Sequence, residues 1–292
     1  MDARLNSLFR PTQANGRVAS HSYAEWMPTP LLKPYVSCYW TSEPRHASEV
    51  LFFNDHKPID RVLPDGCSDI IFEHDIIADR YQVRYCGMFD QPFAIAYDEQ
   101  RPIRRFAVRF FPGGAYFFLQ TALIEFTNQH LDLELVWPGI AGELGEQIFE
   151  TKSVSSKIQS LEYFLLSMLD SSRQVNDDLM KNLLYPIFMS GGTLSVHELA
   201  KSEGISPRHM NRKFDQWIGK SPKKFSEIVR FQTALSQIHL RLSQKLNWQT
   251  LALDCGFFDQ AHFIREFKRY YGDSPLVAVA EYQGMSDLYN PL

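Results

Sequence analysis

The sequence has no apolar run approaching the ~20 residues that a membrane-spanning helix needs, so no membrane partner is expected. Met1 to Ala19 is polar and lacks the apolar stretch of a secretory signal, which makes a cytoplasmic chain the expectation. Cysteine is scarce: Cys38, Cys67, Cys86 and Cys255 stand far apart and form no Cys-x-x-Cys pair, so neither a zinc framework nor a disulfide scaffold is indicated. There is no glycine-rich phosphate loop and no Gly-x-Ser-x-Gly elbow. His46, His56 and His74 are isolated, and Glu73-His74-Asp75 reads as a solvated loop at a strand end. No catalytic residue, metal or cofactor is therefore expected. A basic excess is lacking too: 30 basic against 34 acidic residues give a net charge of -4, which for the whole chain speaks against a nucleic-acid partner.

What is present is ordinary globular composition, 45% hydrophobic and 22% charged. At about 100–200 residues per domain, 292 residues suggest two or three domains. Residues 1–30 read as a poorly structured arm ending at Pro28 and Pro30. Residues 31–135 are β-rich, with apolar segments at Tyr35–Trp40, Val50–Phe53, Asp69–Phe72, Tyr81–Tyr85, Phe93–Tyr97 and Phe106–Phe111. That spacing suits an antiparallel barrel or sandwich, and Pro64-Asp65-Gly66 supplies a turn.

The period then changes to that of helices. Residues 136–190 form a helical connector in which Ile158, Leu161, Leu165 and Met168 make one apolar stripe. This helix either packs on the β-rich domain or pairs with its copy in a homodimer. A second helix over Leu179–Met189 stops at Gly191-Gly192, a boundary or hinge. Residues 191–292 are helical throughout, so the fold class is α+β: a β-rich barrel or sandwich with following helices, then an all-α domain.

Start and stop signals divide that last domain. Ser195 and Glu198 form a capping box. Ser206-Pro207 and Ser221-Pro222 each join an N-cap to a proline in the first helical position. The pattern then recurs: Leu199, Gly204, Phe214, Gly219 and Ser221 are matched by Leu251, Gly256, Phe267, Gly272 and Ser274, at intervals of 52 or 53 residues. One supersecondary unit, a helix, a glycine turn and a helix, is present twice.

Such a unit places its second helix in the major groove of DNA. Residues suited to base edges stand where that helix begins: Arg208, His209, Asn211 and Arg212 in the first unit, and Gln260, Ala261, His262 and Arg265 in the second. Arginine can take both acceptors of guanine, asparagine and glutamine can pair with adenine, and alanine can meet a thymine methyl. Met210, Phe214 and Trp217, and Phe263, Ile264 and Phe267, fall on the opposite faces. The blander alternative is a pair of solvated amphipathic helices.

Other candidates are weaker. Arg105 and Arg109 share one face of the strand Phe106–Phe111, and with Trp40 they could hold an anionic effector; otherwise they make a plain surface face. Cys67 is either a sensing thiol or a small structural residue, and the neighbouring Asp65 and Asp69 would raise its pKa, against reactivity.

Residues 193–283 resemble the DNA-binding domain of the AraC/XylS regulators. The stretch Leu251-Ala-Leu-Asp-Cys-Gly-Phe-Phe-Asp-Gln-Ala-His-Phe-Ile-Arg-Glu-Phe-Lys-Arg-Tyr-Tyr-Gly-Asp-Ser-Pro275 is similar to that family's second helix-turn-helix signature, and Leu199–Pro222 matches the first more loosely. It departs from the family at Leu276-Val277-Ala278. Pro30–Trp40, Leu63–Phe72 and Val108–Ala115 resemble a sensor-like domain carried by some members. The resemblance implies a regulator of transcription whose two reading helices enter successive major grooves of promoter DNA. It also implies an unknown small-molecule or protein effector, and RNA polymerase as a partner if the output is activation. The alternative is a small-molecule-binding or metal-dependent β-barrel enzyme with a helical assembly domain.

The charge then divides informatively. Residues 1–184 hold 17 basic and 24 acidic residues, a balance of -7, and residues 185–292 hold 13 and 10, a balance of +3.

Overall fold

The computed structural model describes residues 3–14, 20–45, 60–98, 100–171, 178–243 and 246–283. The expected strand Val50–Phe53, with His46 and His56, lies outside them.

The described part of the first thirty residues is not the loose arm that its polarity suggests. Ala3–Leu8 forms helix α1 and His21–Trp26 forms strand β1. Leu5 and Phe9 are buried. The Phe9 ring stacks on Phe188 at 4.7 Å and meets Phe111 edge-on at 6.3 Å. Two apolar residues in a polar stretch have no periodicity to announce them; only their distant partners reveal the anchor.

Six strands make one antiparallel sheet: β1, β2 (Val36–Pro44), β4 (Ser68–Asp75), β5 (Arg80–Cys86), β7 (Ile103–Phe110) and β8 (His130–Asp132), in the order β1-β2-β7-β4-β5-β8. β3 (Asp60–Val62) and β6 (Phe93–Ile95) pair as a separate ribbon. The sheet is open, with β1 and β8 at its edges, so the barrel alternative gives way to a layered one. Both faces of its centre are covered. Phe106, Val108 and Phe110 join the main core, while Ala107 joins Cys38, Trp40, Ile71 and Cys86 on the other side. Alternation along β7 produces this division.

Helix α2 (Tyr116–Leu119), a 3₁₀ turn at Leu123–Phe126 and helix α3 (Leu133–Val136) lead to α4 (Ala141–Glu150), α5 (Val154–Ser171) and α6 (Asp178–Met189). Leu161 and Leu165 of α5 are fully buried in the chain's own core. The apolar stripe is therefore used internally, and any homodimer must employ another surface.

The C-terminal helices are α7 (Val196–Ser202), α8 (Pro207–Trp217), α9 (Pro222–Leu240), α10 (Trp248–Asp254), α11 (Gln260–Tyr271) and α12 (Pro275–Gln283), and the first three start at the expected caps Ser195, Ser206 and Ser221. At Leu276-Val277-Ala278 the last helix buries Ala278 and leaves Leu276 exposed. The Gly191-Gly192 pair does not resemble a free hinge. Both residues take positive φ, and the Gly192 amide donates to Ile187 O at 2.8 Å, closing α6. A Cβ on Gly192 would stand 2.2 Å from Ser226 O, because the turn is pressed against α9. One continuous cluster of buried residues runs from Leu5 through the sheet to Tyr282.

Phe9→Ala is expected to cost about 3–5 kcal/mol in chemical denaturation; an unchanged midpoint would return the N-terminal segment to a loose arm. A pH effect follows from His21, whose ring lies 4.0 Å from that of Tyr97. Burial, aided by the charges of Arg105 and Arg45, lowers its pKa from 6.5 to about 4. The unfolded chain therefore binds the extra proton first. Stability from this group is complete above the unfolded value and is lost as pH falls towards about 4. His21→Gln should flatten that part of the stability–pH curve.

Candidate nucleic-acid interface

The two helix-turn-helix units are built by local chemistry. In the first, Ser195 and Glu198 complete the capping box of α7, and Gly204 and Ile205 make the turn, their amides donating to Lys201 O and Ala200 O. Ser206 Oγ accepts from the His209 amide at 3.2 Å and starts α8. In the second, Asn247 caps α10, and the Asp259 carboxylate accepts from the His262 amide at 2.7 Å to start α11. A carboxylate at that end also meets the positive pole of the helix dipole.

Each reading helix is apolar on one side only. Met210, Phe214 and Trp217 of α8, and Phe263, Phe267, Tyr270 and Tyr271 of α11, are buried. Ile264 is half-buried. Arg208 and Arg212, and Gln260, Ala261 and Arg265, are exposed at the opposite faces. Among the described residues none of these three arginines is held in an ion pair. Arg269, one turn beyond Arg265, instead approaches Glu227 and Glu266. The remaining three candidates are half-buried. Asn211 donates its amide to Pro207 O at 2.9 Å, His262 Nδ1 accepts from the Phe258 amide at 3.2 Å, and His209 Nε2 is buried with no hydrogen-bond partner among the described residues. The arrangement thus offers a set of solvated arginine forks and one glutamine amide, while Asn211 and His262 are already engaged within their own units.

Residues 199–279 match the family described as a helix-turn-helix domain. Residues 199–279 thus carry an AraC-type helix-turn-helix domain. Residues 24–132 match a family described as a domain of unknown function, DUF6597. An uncharacterized HTH-type transcriptional regulator of Haemophilus influenzae is 38% identical over 80 residues, 27% of this chain and 26% of that protein. HTH-type transcriptional regulator Rv1931c of Mycobacterium tuberculosis is 31% identical over 86 residues, 30% of this chain and 32% of that protein. The chain thus spans about a quarter to a third of the length of these curated relatives. The solved structure of ToxT from Vibrio cholerae aligns with 77% of this chain and 96% of its own at 12% identity, with a TM-score of 0.39.

The AraC-type domain is fastened to the sheet domain at several points that the sequence did not announce. Trp217 packs against the rings of Tyr116 and Phe117, at 4.5 and 5.0 Å. Thr127 Oγ1 donates to Gly219 O at 2.7 Å, and Lys220 pairs with Asp90 at 2.9 Å. At the other unit Arg61 reaches Glu281 at 3.4 Å and lies over the Tyr271 ring. These contacts join residues 90 or more positions apart, and no periodicity or local motif encodes such a pairing.

The candidate effector residues sit differently from either expectation. Asp69 and Arg109 are direct cross-strand partners, as are Glu73 and Arg105. Arg109 is buried and donates to Asp69 at 3.1 Å, and Trp40 Nε1 donates to the same oxygen at 2.7 Å. Arg105 donates to Glu73 at 2.7 Å and borders a cavity of about 100 Å³ beside His21 and Tyr97. The arginine face is therefore no plain surface; carboxylates on β4 already meet both charges. Glu73-His74-Asp75 lies within β4 and is not a solvated loop, because the hydrogen-bonded strand continues through Asp75. Cys67 is buried, and burial, then the charge of Asp65, raises its thiol well above the ordinary range.

Asp259→Ala is expected to lower the unfolding free energy by about 1 kcal/mol through loss of the cap, while Arg265→Ala stays within about 0.5 kcal/mol of the parent. Thermal melts distinguish them; a comparable loss in Arg265→Ala would give that side chain a structural task.

Proposed function

We propose that this chain is a sequence-specific DNA-binding regulator of transcription that reads a duplex with α8 and α11. The observation that carries the reading is the pair of helices, each anchored by a buried aromatic stripe and each presenting arginine that forms no ion pair among the described residues. Arg208, Arg212, Gln260, Ala261 and Arg265 are the first candidates for base edges. His209, Asn211 and His262 contribute if they exchange their internal environment for DNA. Lysines at the rims supply phosphate contacts, which set register, while base contacts supply specificity. A balance of only +3 in residues 185–292 implies few phosphate contacts and a reliance on base readout or on a second copy. The sheet domain serves as sensor, responding to a small-molecule or protein effector, and RNA polymerase is a partner if the output is activation.

An enzyme with a helical assembly domain would lack duplex affinity. Mobility-shift titration on promoter fragments separates the two readings. A regulator loses affinity as salt rises, with a log–log slope of about -0.9 per phosphate neutralised. Arg265→Ala should cost about 1–3 kcal/mol on the preferred site and relax preference at one base pair. Equal loss on every duplex would reassign Arg265 to a phosphate, and no shifted band with any fragment would count against the regulator.

A further inference from the structure

The two helix-turn-helix units are in register up to their turns and out of register after them. Ala200, Gly204 and Ile205 correspond to Ala252, Gly256 and Phe257 at an interval of 52. The bonds repeat with the residues: the Ile205 amide donates to Ala200 O at 3.1 Å, and the Phe257 amide to Ala252 O at 2.9 Å. Gly204 and Gly256 both take positive φ. From the caps onward the interval is 53. Ser206 corresponds to Asp259, His209 to His262, Met210 to Phe263 and Gly219 to Gly272, and each cap accepts from the matching histidine amide. One residue separates the two registers of the repeat, and it is Phe258.

The inserted residue faces water. Phe257 before it is buried edge-on against Phe263 at 5.2 Å, whereas Phe258 is 84% exposed, more than any other large apolar residue among those described. Single exposed apolar residues are ordinary on protein surfaces. This one is distinguished by how its backbone is held. An extra residue in a tight turn brings an extra amide that needs a partner, and here His262 Nδ1 accepts from it at 3.2 Å. That bond sets Phe258 beside His262, and His262 precedes Arg265 by three residues, on the same face of α11. Gln260 and Ala261, both exposed, open that helix. The sheet domain meets α11 at its far end, where Arg61 lies over Tyr271. The Phe258 ring therefore stands at the entrance of the reading face, away from the sheet domain.

We propose that Phe258 is a further specificity-determining residue for duplex DNA, covering the C5-methyl group of a thymine in the major groove beside the bases that Gln260 and Arg265 meet. The thymine methyl is the one apolar group on the major-groove edges, and apolar side chains, phenylalanine among them, are what recognise it. Covering it withdraws apolar surface of both partners from water. The first unit has no counterpart of this residue, so the preference belongs to the part of the site read by α11. The role rests on the regulator reading and adds to it a base preference that the polar side chains do not supply.

Mobility-shift titration of the full chain on its preferred promoter fragment tests the contact, each thymine of the site being replaced in turn by deoxyuridine, which lacks only the methyl group. The parent is expected to lose affinity by a factor of about three to five at one thymine. Phe258→Ala should bind the unsubstituted fragment more weakly by at least that factor and show no further loss when the same thymine is replaced. Phe258→Leu should regain part of the sensitivity. Thermal melts of both variants are expected to match the parent, because the side chain is exposed, and they establish that each is folded. Ala261 can also meet a methyl group, so sensitivity that persists in Phe258→Ala assigns the thymine to Ala261 and overturns the proposal. Equal loss in Phe258→Ala on thymine and deoxyuridine fragments assigns the ring to the sugar-phosphate backbone and overturns it too, as does a site in which no thymine matters. A shifted band that Phe258→Ala leaves unchanged defeats this contact alone, whereas no shifted band with any duplex defeats the regulator reading and the contact together.

Discussion

Helix α9 has almost no free side, and the rest of the molecule is arranged around that fact. Phe225, Ile228, Val229, Phe231, Ala234, Leu235 and Ile238 are all buried along it. Phe231 meets Phe267 and Tyr270 of the second unit, whereas Phe225 meets Phe214 of the first and Phe188 of α6. Among these rings sits one buried amide, Gln232. Its oxygen accepts from the Thr12 amide at 2.7 Å, and its nitrogen donates to Thr12 O at 3.2 Å and Pro64 O at 2.8 Å. An unpaired buried amide costs about 1–3 kcal/mol, so this residue fixes the register of α9 against both the N-terminal segment and the loop before β4. Apolar contacts alone tolerate sliding; three directed hydrogen bonds do not.

That constraint limits how a ligand can act on DNA binding. The reading units are not loosely tethered to the sheet domain, since the glycine pair between them is itself packed on α9. On the regulator reading, an effector must therefore favour one packing of shared surfaces over another, and it shifts the equilibrium only by its difference in affinity for the two. Interfaces of this kind have discrete alternatives, because close-packed side chains do not deform continuously.

The C-terminal half was legible because its determinants are local. Ser195, Ser206, Ser221 and Asp259 each announce a helix start within a few residues, and the apolar period of α8 and α11 identifies which side is buried. The division of β7 into two faces was likewise visible from alternation, and the packed role of the α5 stripe was one of two open alternatives. What lay beyond the sequence was partner choice. Nothing near Phe9 points to Phe188, nothing near Arg109 points to Asp69, and nothing near Lys157 points to the Phe106 ring, 5.9 Å from its ammonium. For the same reason Asn211 and His262 could be read as donors to DNA, although their side chains close bonds within their own units. Residue type states what a group can bind, and only the fold states what it already binds.

The fastening of an acidic sheet domain to a basic helical domain also gives the molecule a fixed charge polarity. A loosely tethered acidic domain could swing towards any side of the reader and screen it. Held in place by Gln232, Trp217 and Arg61, the negative half is a fixed counterweight. Near a polyanion the field exerts a torque as well as an attraction, turning that half outward and the arginine-bearing helices inward before contact. The sheet domain thus acts as a keel, and on the regulator reading its acidity narrows the range of orientations in which the chain meets a duplex.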